Sequence, residues 1–212
     1  MTTGPQDLGF VLVASPFTGP FAWSKVASDL RARGRRVAVH DVDAGIDPPV
    51  VLVAHSGAGP HLPALAVRGA GVVGMVLVDA LLPHPGRSWA QTVPDAFAAT
   101  LKAEAVDGNL KPWPQWWGDA RMAQLIADPH LRDEFVRACP TVPVAAIDEV
   151  MADVVDPPGV FVQLSDAYTP ETAAARKRGW PVLVLDAQHL ALLTDPKAVA
   201  DAVERAADLL TN

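Results

Sequence analysis

Apolar residues recur along this chain in short, continuous runs rather than at alternating positions. Six segments rich in Val, Leu and Ala fit β-strands, at residues 8–14, 36–42, 50–54, 72–78, 160–164 and 182–185. Strands of this kind are apolar on both sides, which is typical of a parallel sheet covered by helices on both faces. The pattern therefore predicts an α/β protein with a mostly parallel sheet.

Helical patterns lie between several of these strands. They cover residues 23–33, the segment after Ser56, residues 170–178 and residues 196–210. The alternation of strands and helices supports the α/β class. It stops between residues 83 and 158, where prolines and short helical segments take over. We therefore predict a core formed by residues 1–82 and 159–212, with residues 83–158 inserted as a helical cap.

Two local features of this order are unusual for a parallel sheet. Residues 43–49 join two strands but are too few for a crossover helix, which needs about a dozen residues or more. A missing helix would leave an apolar patch on one sheet face, so we expect a homodimer or another partner to cover it. Elution as a strict monomer at high concentration would contradict this expectation. Pro60 and Pro63 predict an irregular start for the helix after Ser56.

The composition narrows the range of functions. The 212 residues fit one domain, and the net charge of -7 argues against a nucleic-acid partner. Neither an uncharged apolar stretch of about 18 residues nor a basic and apolar leader is present, so we expect a cytoplasmic protein without a membrane segment. The single cysteine, Cys139, excludes an internal disulfide and is expected to be a small buried residue. No residue spacing indicates a metal or an organic cofactor.

The segment VVLVAHSGAG, residues 50–59, carries the strongest indication of chemistry. It places Ser56 between an apolar strand and a helix, with small residues two positions before and after it. This arrangement is typical of a sharp turn that presents a nucleophilic serine to a cleft. Ala54 and Ala58 stand where glycine is usual in such turns.

A serine hydroxyl needs a base, and the base needs a carboxylate to orient it. His189 follows a strand and precedes the last helix, which makes it the best candidate for the base. His55 is the neighbour of Ser56 on the turn, so its side chain is expected to point away from the cleft and to pack. Asp166 follows one strand and Asp79 ends another; Asp166 is the preferred acid and Asp79 the alternative.

Two longer segments resemble a known family. Residues 13–30, VASPFTGPFAWSKVASDL, follow the HGxxxxxxxW layout of the plant-type methyl esterases and hydroxynitrile lyases, with Trp23 in the tryptophan position. Residues 186–196, DAQHLALLTDP, are similar to the end of the same proteins. The resemblance implies the α/β-hydrolase fold and a catalytic triad, which transfers to Ser56, His189 and Asp166.

The sequence departs from that family in the loop that holds the negative oxygen of the reaction intermediate. The family's His-Gly is Ala14-Ser15 here, and the next position is Pro16, which has no backbone N–H to donate. We expect one donor from the Gly57 N–H and a substitute donor from the Phe17 N–H or the Ser15 hydroxyl. In the lyases a hydroxylated residue at the Ser15 position binds a substrate hydroxyl, so Ser15 is expected either to bind substrate in this way or to cap the local backbone as a turn residue.

The cap sequence bears on the substrate. Six aromatic residues are expected to roof an apolar pocket or to pack the interior of the cap: Trp89, Phe97, Trp113, Trp116, Trp117 and Phe135. The first hypothesis is an esterase or thioesterase acting on a small apolar or aromatic substrate. The alternatives are lyase, elimination or cyclisation chemistry with His189 as the base, and a binding protein without catalysis.

Overall fold

A six-stranded parallel sheet forms the centre of the molecule. The computed structural model describes residues 8–39, 48–69 and 71–211. The strands of the described residues, in chain order, are β1 (Gly9–Val13), β2 (Val37–Val39), β3 (Val50–Ser56), β4 (Val72–Ala80), β5 (Asn109–Leu110), β6 (Val142–Pro143), β7 (Gly159–Gln163) and β8 (Val182–Val184). The sheet order is β2-β1-β3-β4-β7-β8, with every neighbouring pair parallel, and β5 and β6 form a separate antiparallel pair.

Helices cover both faces of the sheet. They are α1 (Ser24–Ala32), α2 (Leu62–Arg68), α3 (Asp95–Ala103), α4 (Trp113–Trp117), α5 (Asp119–Leu125), α6 (Pro129–Ala138), α7 (Thr169–Lys177), α8 (Ala191–Thr194) and α9 (Pro196–Thr211). Side chains of α1 and α9 pack with Phe10 and Val51 on one face, whereas Leu62 of α2 and Ala175 of α7 pack with Leu52 on the other. Successive strand residues point to opposite faces, so the continuous apolar runs supply both layers. The predicted fold class is confirmed.

The elements between β4 and β7 form a second apolar cluster. We call residues 83–158 the cap segment; it contains α3 to α6 and the β5–β6 pair. Leu101, Met122 and Phe135 are buried at its centre, together with Leu190 from the chain that precedes α8. Cys139 is buried in the same cluster, and burial raises the pKa of its thiol to about 12, as expected for a residue that only packs.

Part of the prediction about the short connection falls outside the described residues. Residues 40–47 are not described, so the prediction that no crossover helix forms in this connection falls largely outside the described residues. The partner over that sheet face stays a prediction. The irregular start of α2 is confirmed, because a 3-10 turn at Gly59–His61 precedes the α-helix. Among the helices of the described residues, none combines the length and the apolar character needed to span a membrane.

Candidate active site

Ser56 is the last residue of β3 and adopts a backbone conformation that residues other than glycine rarely take. Its φ is 57°, in the left-handed region that costs a non-glycine residue free energy. The chain reverses direction here, and the Leu81 N–H donates a hydrogen bond of 3.0 Å to the Ser56 carbonyl. This sharp turn places the serine at the carboxyl end of the sheet, where its side chain lines a cavity.

The small residues around Ser56 differ in how closely the neighbouring backbone approaches them. Ala54 and Ala58 are completely buried, so the turn accommodates a methyl group at both positions where glycine is usual. The closest backbone approach occurs instead at Gly59, where an added Cβ would overlap the carbonyl oxygen of Leu81. Glycine is therefore required one residue later than the family pattern suggests.

His189 is held by a buried carboxylate. Its Nδ1 lies 3.0 Å from Oδ2 of Asp79, a residue with no exposed surface. The same carboxylate accepts hydrogen bonds from the Leu164 N–H at 2.8 Å, the Ser165 N–H at 3.0 Å and the Ser165 hydroxyl at 2.6 Å. An ionised carboxylate only accepts, so Nδ1 of His189 is the donor and Nε2 is left to accept a proton.

These hydrogen bonds also determine the charge of Asp79. Burial alone would raise the pKa of the Asp79 carboxyl group, but the hydrogen bond and charge interaction with His189 lower it. The hydrogen bonds from Ser165 and Leu164 act in the same direction, and the net pKa is below its ordinary value. Asp79 is therefore an ionised acceptor at neutral pH. Its φ of 42° is a second strained position in the site.

The structure brings the alternative acid, Asp79, to His189 rather than the preferred Asp166. Asp166 is exposed in the 3-10 turn Asp166–Tyr168, whereas Asp79 contacts His189. The two residues compete because β4 and β7 are neighbours, and their carboxyl ends reach the same edge of the sheet. The chain after β7 does take part, but through Leu164 and Ser165, which orient the Asp79 carboxylate.

His55 supports the site from behind, which agrees with the expected packing role. Its side chain is completely buried, and its Nε2 lies 2.9 Å from the carbonyl oxygen of His189, so this nitrogen carries the proton. The ring also packs edge-on against Trp23. Burial, with a contribution from His189, lowers the pKa of His55 to about 3, so the ring is neutral and does not compete for the proton of Ser56.

The loop that faces Gly57 offers aromatic surface rather than hydrogen-bond donors. Pro16 has no N–H, and the Phe17 N–H donates to the Ser15 hydroxyl oxygen at 3.3 Å. Ser15 is buried and does not line the cavity, so its predicted role as a substrate contact is not supported by its position. The ring of Phe17 lies over Gly57, where an added Cβ would come within 2.8 Å of it.

A cavity of about 390 Å³ lies between the cap segment and the sheet. All four predicted cap tryptophans line it, whereas Phe135 does not and packs edge-on against Trp113. Its walls are largely aromatic, and they are formed by Phe17, Trp89, Phe97, Trp113, Trp116 and Trp117. Ser56, Gly57 and His189 also line it, with Glu171 and Arg121 as the charged residues.

The family model for the alpha/beta hydrolase family matches residues 4–202. The chain belongs to this family. The membership and the hydrolase-type enzyme class inferred from the sequence are thereby confirmed. No curated protein matches the sequence of this hydrolase.

Solved structures share the fold of the hydrolase over nearly its whole length. An extracellular α/β-hydrolase from a Paenibacillus species, described as homologous in structure and function to tobacco salicylic acid binding protein 2, has a TM-score of 0.73 and 18% identity, covering 94% of this chain and 98% of that one. A variant of tomato methylketone synthase I has a TM-score of 0.69 and 15% identity over 95% and 98% of the two chains. Polyneuridine aldehyde esterase has a TM-score of 0.70 and 17% identity over 92% and 97%.

Tyr168 is a site residue of the hydrolase that sequence reasoning missed. Tyr168 lines the cavity, and its ring stacks on that of His189 with the centroids 5.2 Å apart and the planes 7° from parallel. Ser56 and Gly57 line the same cavity as Tyr168, and the Ser56 side chain acts to lower the pKa of the Tyr168 hydroxyl. The available signal was its place two residues after Asp166, in a loop already expected to reach the site.

Proposed function

We propose that this α/β-hydrolase is a serine esterase or thioesterase in which Ser56, His189 and Asp79 act as the catalytic triad. The observation that carries the proposal is the contact of 3.0 Å between His189 Nδ1 and a buried, ionised Asp79, in the cavity that Ser56 also lines. A histidine oriented in this way presents Nε2 as a base. The strained turn at Ser56 presents the hydroxyl that needs this base.

The reaction proceeds through an acyl-enzyme. The Ser56 oxygen attacks the carbonyl carbon of the ester or thioester while its proton passes to Nε2 of His189, and Asp79 stabilises the resulting imidazolium. The carbonyl electron pair moves to the oxygen, which the Gly57 N–H stabilises. When the carbonyl re-forms, the alcohol or thiol leaves with the proton from His189. Water, activated by His189, then repeats these steps on the acyl group, releasing the acid and free Ser56.

Truncation of the base and of the nucleophile tests this proposal. We expect Ser56→Ala and His189→Ala each to reduce the hydrolysis of p-nitrophenyl acetate or butyrate by about 10³-fold or more, because the triad acts as a unit. Ser24→Ala, an exposed serine in α1, should retain wild-type rates. Equal rates for all variants would show that hydrolysis does not use this site.

The aromatic walls support a small, largely apolar or aromatic substrate. Trp117 lines the cavity but is 45% exposed, so its truncation should leave the fold intact. We expect Trp117→Ala to raise KM for an aryl ester several-fold with little change in kcat, because it removes uniform binding. Trp180→Ala, at a tryptophan outside the cavity, should leave KM unchanged. A KM that responds equally to both variants would place the substrate elsewhere.

Non-hydrolytic chemistry is the second candidate, favoured by the loop around Pro16 that lacks the usual donor. In that case His189 abstracts a proton and Ser56 only binds a substrate oxygen. The proximity of Asp79 and His189 serves this chemistry as well, so the nucleophile is the discriminating residue. Turnover that survives in Ser56→Ala but not in His189→Ala would favour it over the esterase. A binder without catalysis does not require Ser56 and His189 at one cavity with a buried Asp79 oriented toward His189.

A further inference from the structure

The chain contains a single tyrosine, and it lies in the site. Tyr168 belongs to the 3-10 turn after β7, and its N–H donates to the Ser165 carbonyl at 3.1 Å. Ser165 in turn donates to Asp79 through its N–H and its hydroxyl. The loop that orients the acid therefore also fixes the tyrosine in space.

The surroundings of Tyr168 keep its hydroxyl group a hydrogen-bond donor. Burial raises the pKa of the Tyr168 hydroxyl, the hydrogen bond with Ser56 opposes this in part, and the negative charges of Asp79 and Glu171 reinforce it. The phenol is therefore protonated over the whole physiological range. The stacked ring of His189 limits its movement on one side.

The loop at residues 14–17, where related enzymes hold the negative oxygen of the intermediate, lacks one of the usual hydrogen-bond donors. A tetrahedral intermediate carries a full negative charge on one oxygen, which esterases stabilise with preorganised N–H or O–H groups. The Gly57 N–H can supply one. Position 16 supplies none because it is proline, and the Phe17 N–H already donates to Ser15 within a turn that the Gly19 N–H closes onto the Ser15 carbonyl.

We propose that the Tyr168 hydroxyl is the second oxyanion donor, replacing the backbone N–H that Pro16 lacks; this inference rests on the proposed esterase function. In the free enzyme Tyr168 lines the cavity together with Ser56 and Gly57. When the Ser56 oxygen bonds to the carbonyl carbon, the electron pair of the C=O bond moves to the oxygen, and Tyr168 donates its hydrogen bond there. Tyr168 keeps its proton throughout. When the C=O bond re-forms and the leaving group departs, the negative charge is gone and the hydrogen bond from Tyr168 weakens.

Tyr168→Phe separates this role from that of the ring, because phenylalanine preserves the stacking on His189. Loss of a single oxyanion donor costs about 10²- to 10³-fold in kcat. We expect this loss in Tyr168→Phe with p-nitrophenyl butyrate, with KM within about twofold of wild type because the interaction forms only in the transition state. Thr141→Val, at an exposed threonine of the cap segment that does not line the cavity, should leave kcat unchanged.

A spectroscopic measurement reports on the same contact without turnover. Protein containing 3-fluorotyrosine gives one ¹⁹F resonance, since the chain has one tyrosine. Reaction of Ser56 with diethyl p-nitrophenyl phosphate places a phosphoryl oxygen where the oxyanion forms, and we expect the resonance to shift. The Ser56→Ala variant, which cannot react there, should show no shift.

The outcomes separate this inference from the function on which it rests. If wild-type protein reacts at Ser56 and hydrolyses the ester, but Tyr168→Phe keeps kcat within about threefold and the resonance does not move, the esterase stands and the tyrosine role is overturned. If wild-type protein neither reacts at Ser56 nor hydrolyses any ester, the esterase proposal itself fails, and the role of Tyr168 as oxyanion donor fails with it.

Discussion

Asp79→Asn is expected to lower kcat for ester hydrolysis by about 10⁴-fold, the size of effect seen when a triad carboxylate becomes an amide. Asparagine has the same shape, and its Oδ1 can still accept from the Leu164 and Ser165 N–H groups. Its NH₂ group then takes the place of Oδ2 and faces Nδ1 of His189, which selects the tautomer with the proton on Nε2. It also removes the charge that stabilises the His189 imidazolium. Steady-state kinetics of purified variants on p-nitrophenyl butyrate give the comparison.

Asp166→Asn is the matched control, because it makes the same change at the acid that the sequence favoured. Asp166 is exposed, whereas Asp79 contacts His189, so the control should stay within about twofold of wild-type activity. The opposite ranking of the two variants would restore Asp166 as the acid. Comparable losses in both would indicate that the loop after β7 matters as a whole.

The same pair of variants has a pH signature in the free energy of unfolding. The pKa of Asp79 is lower in the folded protein than in the unfolded chain. Its ionised form therefore contributes stability above the unfolded carboxyl pKa of about 4, and this contribution is lost as the pH falls through the folded value. Urea unfolding of wild type and Asp79→Asn should show a gap that is largest near neutral pH and narrows under acid conditions.

Gly59→Ala is expected to have the largest effect on stability of the substitutions considered. An added Cβ would overlap the Leu81 carbonyl oxygen, and no side-chain rotation can relieve an overlap with backbone. We expect a loss of about 3 kcal/mol or more, or a failure to fold, corresponding to a fall in Tm of about 10 °C. Differential scanning fluorimetry and the yield of soluble protein measure the effect.

Gly69→Ala provides the matched control for this steric effect. Gly69 also has a negative φ, but its added Cβ would lie 3.2 Å from a movable Val72 methyl group and 3.3 Å from the Leu65 carbonyl oxygen, without the overlap found at Gly59. Its Tm should stay within a few degrees of wild type. A stable and active Gly59→Ala protein would show that the turn after Ser56 does not pack tightly against the Leu81 carbonyl group.

Much of the fold follows directly from the sequence because its signals are local. The six continuous apolar runs became the six strands of the main sheet, since a buried parallel strand needs apolar residues on both faces. Ser56 and His189 were identified for a similar reason. Each occupies a chain position, after a strand and before a helix, that depends on neighbouring residues rather than on distant ones.

The partner of His189 did not follow from such signals. Asp79 and Asp166 both come after strands that end at one edge of the sheet, and only the path of the loop after β7 decides between them. The position of Tyr168 depends on the same loop. For Ser15 the sequence left two roles open, a substrate contact or a local turn, and the bond from the Phe17 N–H to its hydroxyl oxygen favours the turn.

Reaction with a serine-directed fluorophosphonate tests the central claim most directly, because it requires a nucleophile, a base and a hole for the phosphoryl oxygen together. Intact mass and peptide mapping should show one label per chain, on Ser56, formed slowly in Asp79→Asn and His189→Ala and absent in Ser56→Ala. A folded wild-type protein that takes up no label, or takes it up at another residue, would contradict the assignment of Ser56 as an activated nucleophile.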